Sequence, residues 1–313
     1  MKPSNKKTLL SMPFCKQLNK QKQLLLLCLP ALALIIIFKY GSMYGILIAF
    51  KNYRASRGIW GSAWLDPVYR NFVTFFRNPA SLRLIWNTVR IGVLNMIFTF
   101  PAPILFALFL NELKFRQFKR FVQTVSYIPH FISVIVVVGM LNNFGSIDGL
   151  FNAIRGFVGL APVNMNEGTR YFYQMFIGSQ IWQTFGWSSI IYIAALSTID
   201  PTLYDVADID GANRWYKIWN IAWPTIMPTT TIMLIMGMGN MLNSDYQKIL
   251  LMQNDTNRSQ IDVISSFVYR EGIMGARFEY TTAVNLMLSI VGFLLVITTN
   301  KVIQKINREN SLW

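Results

Sequence analysis

Long apolar runs separated by short polar segments make up most of this chain. Leu24 to Phe50 is apolar apart from Lys39 and a few small polar residues. Leu84 to Leu110 is interrupted by Arg90, with kinks expected at Pro101 and Pro103. Phe121 to Leu141 is nearly uncharged, and Phe176 to Ile199 carries no charge. Ile221 to Leu242 and Ala283 to Thr299 complete the set. A helix needs about 20 mostly apolar residues to cross a bilayer. The pattern therefore predicts an all-α membrane protein of about six transmembrane helices. Only lipid offers an apolar surround large enough for six such runs.

Composition agrees. The chain of 313 residues is 53% hydrophobic and only 14% charged. Its mean hydropathy is +0.37. The placement of Lys and Arg sets the expected orientation. Residues 1–23 hold Lys2, Lys6, Lys7, Lys16, Lys20 and Lys22 and no acid, so this tail is expected in the cytoplasm. Six spans then put both termini inside, together with the loops 111–120 and 200–220. The expected division is a basic tail 1–23, a membrane domain 24–303 containing the loop 200–224, and a short tail 304–313. The Lys and Arg residues fall 15 inside, 12 outside and two within spans. The outer segment 51–83 alone has six of them against Asp66. The net charge of +15 calls for no nucleic acid, because six of the positive charges sit beside an anionic inner leaflet.

Catalytic and metal-binding patterns do not emerge. Cys15 and Cys28 form no disulfide framework or metal spacing. His130, the single histidine, lies in "YIPHFIS" and reads as a structural group. No phosphate-binding G-x-x-x-x-G-K-[ST] loop occurs. An enzyme reading is poorly supported, and the lack of a repeat between the halves weakens a secondary-transporter reading.

The polar stretch 204–229, between two apolar runs, is longer than a turn requires. Asp200 is a good N-cap, and Pro201 is tolerated at the first helical position. Gly211 suits a C-terminal cap with positive φ. These signals frame a helix over roughly 201–210, with Leu203, Val206 and Ala207 on one face and Asp205 and Asp208 elsewhere. A second helical stretch, 212–222, leads into Pro224. Asp205, Val206 and Ala207, then Gly211 after three residues, then Ile221, Trp223 and Pro224 after nine more, follow the spacing E-A-A-x3-G-x9-I-x-L-P. That is the cytoplasmic signature of ABC importer permeases, and the chain resembles that family. Asp205, Val206 and Trp223 depart from its residue types. "IDGANRWYKIWNIAWP", "FPAPILFALFLNEL", "VSYIPHFISVIVVVGML", "DVISSFVYREGI" and the ending "SLW" resemble its maltose-type sugar permeases, and within them the polysaccharide and oligosaccharide LplB-like branch.

The resemblance implies a type I importer permease fold in a bacterial cytoplasmic membrane. It implies a second permease, two ATP-binding subunits holding ATP and Mg, and an extracellular binding protein that delivers a saccharide. No cofactor is expected in this chain. Asp205, Val206, Ala207, Asp208, Gly211, Ala212, Ile221 and Pro224 would couple to the ATPase through the short helix. The spans flanking the loop and the last span would form the substrate path. The polar and aromatic residues available there are Gln180, Gln183, Trp187, Tyr192, Asn240, Asn243, Ser244 and Asn285. Interhelical hydrogen bonding would serve the same residues equally well. The polar run around Tyr269, Arg270, Glu271 and Gly272 is a candidate contact for the binding protein. An ABC permease for another solute and an ATPase-independent channel or transporter are the competing classes.

Overall fold

The computed structural model describes residues 22–306. Residues 1–21, with Cys15 and most of the expected basic tail, lie outside the described residues, as do 307–313 with Arg308. Among the described residues five helices are long and apolar enough to cross a bilayer, and a sixth span is made if a strongly bent helix pair counts as one. Among the described residues no β-strand forms, only an isolated bridge between Lys51 and Trp64.

The first span is α1 (Lys22–Ile35), which continues as a π turn (Ile36–Tyr40) and a 3-10 segment (Gly41–Phe50). A short helix, α2 (Arg70–Arg77), precedes the second span. That span joins α3 (Ser81–Thr99) and α4 (Pro101–Asn111) into one continuous rod. Pro101 stands at the first position of α4, so the kink expected there does not break the span.

The third span differs from expectation. The stretch long and apolar enough to cross runs from Val134 to Phe157, through a helix over Leu150–Phe157, and Phe121 to Leu141 is not a single helix. α5 (Arg116–Tyr127) ends in a 3-10 turn over Ile128–Phe131, and α6 (Val134–Gly145) starts afresh. Pro129 has no N–H to donate and disfavours helical geometry at Ile128. Ser133 then caps the new helix, its Oγ accepting from the Val136 N–H. Both halves run antiparallel to α8 (Phe172–Leu196), the fourth span. Gly186 faces the Ser126 carbonyl, Gln183 donates to the Ile132 carbonyl at 2.7 Å, and Gly145 lies against Met175. A Cβ at Gly186 would stand 2.1 Å from that Ser126 oxygen, so only glycine permits the approach.

After α8 the chain turns through 76° into α9 (Pro201–Ile209). It returns through α10 (Arg214–Lys217), a π turn (Ile218–Ala222) and α11 (Trp223–Asn240), the fifth span. The last span is α12 (Phe278–Ile306). It packs against the Gly41–Phe50 segment and against α11.

The end opposite α9 is closed by the segment between the fifth and sixth spans, with short helices over Tyr246–Met252, Arg258–Ile261 and Ile264–Val268. Asp262 ties it down. Its carboxylate accepts from Ser266 Oγ (2.6 Å), Gln253 Nε2 (3.0 Å) and Arg270 Nη2 (2.5 Å). Its carbonyl accepts from Asn87 of α3 at 2.9 Å, and Thr88 accepts from the Ile264 N–H at 2.9 Å. Apolar clusters fill the interior towards each end. Ile91, Phe172, Phe176 and Ile249 meet towards the Asp262 end, and Ile104, Leu108, Tyr192, Ile218 and Ile226 meet towards the α9 end.

Candidate functional site

A cavity of about 400 Å³ lies between the second, fourth and fifth spans. One wall is a stripe on α8 at every fourth residue: Gln180, Thr184, Ser188 and Tyr192. Four-residue steps keep side chains on one helix face. α3 contributes Asn95 and Thr99, again four apart, with Ile91 and Met96. α11 contributes Met233 and Asn240, and the chain beyond it adds Asn243, Ser244 and Asp245. Asn95 Oδ1 and Ser244 Oγ are buried and have no hydrogen-bond partner among the described residues. A buried polar atom without a partner is costly. Both residues belong to the cavity lining, but these two atoms are closed off by protein, and the polar groups offered to a ligand are those of Gln180, Thr184, Ser188, Thr99 and Asn240.

The second candidate surface is the polar loop. Asp200 caps α9, with its Oδ1 accepting from the Thr202 N–H at 2.9 Å, and this hydrogen bond holds its carboxyl below the usual carboxylate range. Gly211 ends the turn with φ of +73°, a conformation that side chains with Cβ disfavour. Its neighbour Ala212 donates back to the Ala207 carbonyl at 2.9 Å. Asn213 caps the next helix by accepting from the Tyr216 N–H at 2.8 Å. Lys217 Nζ meets Asp208 Oδ1 at 2.7 Å, fastening α9 to α10, and that hydrogen bond lowers the Asp208 pKa. Asn111 at the end of the second span donates to the Tyr204 hydroxyl at 3.0 Å. The loop is therefore tied to the second, fourth and fifth spans and is no free turn.

Leu203, Val206, Ala207, Gly211, Ala212 and Ile221 line an open concavity of about 590 Å³ on this loop. Ala207 is buried, while Leu203 and Val206 stay more than half exposed. Ile209 is 86% exposed. Apolar side chains this open on a rigidly held element suit a partner surface.

Residues 99–308, well over half of the chain, match the family described as the binding-protein-dependent transport system inner membrane component. The chain belongs to this family. Protein LplB of Bacillus subtilis (strain 168) is 38% identical, covering 93% of this chain and 92% of its own length. The polygalacturonan/rhamnogalacturonan transport system permease protein YteP of the same organism is 37% identical over 94% and 91%. A crystal structure of a bacterial ABC transporter involved in the import of the acidic polysaccharide alginate superposes with a TM-score of 0.82 at 34% identity, covering 93% of this chain and 98% of that one. The same transporter type, crystallised in complex with an alginate pentasaccharide-bound periplasmic protein, matches equally well. The fold is that of a type I ABC importer permease, and the protein is a membrane-embedded transport subunit.

In this permease the cavity gathers Gln180, Tyr192, Asn240, Asn243 and Ser244 from the residues singled out in the sequence. Three others sit elsewhere. Gln183 turns to the third span and bonds Ile132, and Trp187 stacks on His130 with ring centroids 4.5 Å apart. Asn285 is exposed on α12. Expecting Gln180, Gln183 and Trp187 to share a face used steps of three and four together. The cavity instead follows steps of four, a signal present in the sequence through Thr184 and Ser188. Asn95 and Thr99 were missed because the substrate path was expected on the spans flanking the loop and on the last span, and the second span was not among them. Arg270 points to Asp262 and is three-quarters buried, so the Tyr269–Gly272 run is braced inward instead of presenting that charge outward. On the loop, Val206, Ala207, Gly211, Ala212 and Ile221 share the concavity, whereas Asp205, Asp208 and Pro224 lie outside its lining.

Proposed function

We propose that this chain is one of two permease subunits of an ATP-driven importer for an acidic oligosaccharide. The observation that carries the reading is the cavity between the second span and the two spans flanking the signature loop, lined by the amides and hydroxyls of Gln180, Thr184, Ser188, Asn95, Thr99, Asn240 and Asn243. A saccharide supplies hydroxyl donors and acceptors for such side chains. The relatives named for polygalacturonan and for alginate support the acidic class. The neighbour crystallised with a saccharide-bound periplasmic protein supports delivery by a separate binding protein.

In this reading two ATP-binding subunits seat α9 in a cleft, with Leu203 and Val206 buried against them. ATP and Mg belong to those subunits, and this chain has no catalytic site of its own. Closure of the ATPase pair moves α9, and the ties from Asn111, Asp208 and Lys217 pass that motion to the spans that wall the cavity. A ligand drives such a change only through different affinity for the two states, and ATP supplies that difference outside this chain. The loop 200–224 and both termini face the cytoplasm of a bacterial cell, and the tails 1–23 and 304–313 flank the membrane domain.

The test is ATP hydrolysis by the complete complex in proteoliposomes, with the binding protein loaded in turn with an oligogalacturonide, an alginate oligosaccharide, a neutral maltooligosaccharide and methionine. The acidic saccharides are expected to stimulate hydrolysis and the other two to leave it at the basal rate. Stimulation by methionine alone would move the chain to a non-sugar importer.

A further inference from the structure

Lys248 is the largest buried charge that the transport scheme leaves unused. It lies on the short helix Tyr246–Met252 between the fifth and sixth spans and is fully buried. No carboxylate lies within ion-pair distance of its ammonium among the described residues. Asp245, three residues before it, instead caps the helix by accepting from the Lys248 backbone N–H at 3.2 Å. The ammonium stands over the Phe176 ring, 5.1 Å from its centroid. Among the described residues its ammonium makes one hydrogen bond, to Gln180 Oε1 at 3.1 Å. Burying a cation without a counter-charge costs several kcal/mol, so this placement is poorly explained by stability.

Gln180 is the point where this charge reaches the cavity. An ammonium is a donor only, so it can face only the oxygen of the amide. A free glutamine in a cavity wall can turn either end to a ligand. Here the oxygen is claimed from behind, and the NH2, in no hydrogen bond among the described residues, is the end left for the cavity. We propose that Lys248 is a positioning residue for the cavity: it holds the Gln180 amide with its NH2 towards the ligand, so that this wall recognises oxygen acceptors such as the hydroxyl, ring or carboxylate oxygens of an acidic saccharide. The inference rests on the cavity being the saccharide site, as proposed above.

The burial that depresses the Lys248 pKa to about 8 still leaves the ammonium mostly protonated near neutral pH, so the donor is present where it is needed. Lys248 itself does not line the cavity, and its effect passes through Gln180.

The test measures the affinity of an alginate pentasaccharide for the assembled permease–ATPase complex by titration calorimetry. The binding protein is omitted so that its own affinity does not mask the site. Gln180→Glu removes the NH2 and gives Lys248 an ionic partner. The expected result is an unchanged or higher melting temperature together with about tenfold weaker binding. Lys248→Met frees the amide to turn and is expected to weaken binding severalfold without lowering the melting temperature, and Lys248→Arg, another donor-only side chain, restores most of the affinity. If Gln180→Glu and Lys248→Met bind the saccharide as tightly as the wild type, while Asn95→Leu weakens it, the positioning role is wrong and the cavity assignment stands. If Asn95→Leu also binds normally, the cavity is not the saccharide site and the inference falls with it.

Discussion

Asp262 and Lys248 show two ways this chain handles charge near the end opposite α9. Asp262 is buried, but Ser266, Gln253 and Arg270 satisfy its carboxylate. Asp262→Ala would leave the Arg270 guanidinium three-quarters buried without its partner. Removing one member of a buried pair costs about 3 kcal/mol or more, and the melting temperature of the purified complex should fall accordingly. Asp262→Asn, which keeps acceptor oxygen at the centre, should cost less. Lys248 has no such partner, and its pKa is lowered from 10.5 to about 8, chiefly by desolvation, with Asp245 opposing the shift. Between those values the unfolded chain binds more protons than the folded one, so stability rises with pH across that window. Below pH 8 both states carry the proton and the penalty is constant. Melting curves of the complex from pH 7 to 10.5 should therefore climb, and in Lys248→Met that part of the climb should disappear. Parallel wild-type and Lys248→Met curves over this range would contradict the depressed Lys248 pKa.

At the scale of elements, the signature helix was legible almost to the residue. Asp200, Pro201 and Gly211 are local signals, and local signals act through hydrogen bonds that neighbours in sequence make. The helix expected over roughly 201–210 is Pro201–Ile209, capped as expected. The broken third span was not legible from hydropathy, because apolar character is indifferent to whether a run is one helix or two. Pro129 and Ser133 carried that information, and reading them as stop and start signals would have split the run. The cavity was half legible. Polar residues in spans could be named, but the face each presents depends on which neighbour packs beside it, as Gln183 and Trp187 against the third span demonstrate. Tight packing there makes a clear prediction. Gly186→Ala pushes a Cβ into the Ser126 carbonyl, and the spans must separate at a cost of about 2 kcal/mol. A lower melting temperature is the expected readout. Gly211→Pro acts differently, since proline cannot adopt the positive φ at that position. It should spoil the loop and leave the spans folded, so the complex should still assemble and melt near the wild-type temperature.

The whole molecule looks incomplete by itself. Large apolar side chains such as Leu27, Phe38, Phe98, Phe115 and Phe293 stand more than half exposed along and beside the spans. Lipid accounts for much of that surface, and the proposed second permease for the rest. Membership of the binding-protein-dependent family was readable from the spacing of a few loop residues, which hydropathy alone does not dictate. The identity of the cargo was not, since hydroxyl-rich ligands of many kinds meet the same amides and hydroxyls. The central claim is that ATP spent outside this chain moves an acidic saccharide through it by way of α9. The most direct measurement is uptake of a labelled oligogalacturonide into proteoliposomes holding the complete complex, with ATP supplied on the α9 side. Uptake should require ATP and the binding protein, and it should collapse in Gly211→Pro and Asp205→Lys complexes that assemble and still hydrolyse ATP at the basal rate. Uptake that proceeds without ATP, or that is equal in wild type and both variants, would contradict the account.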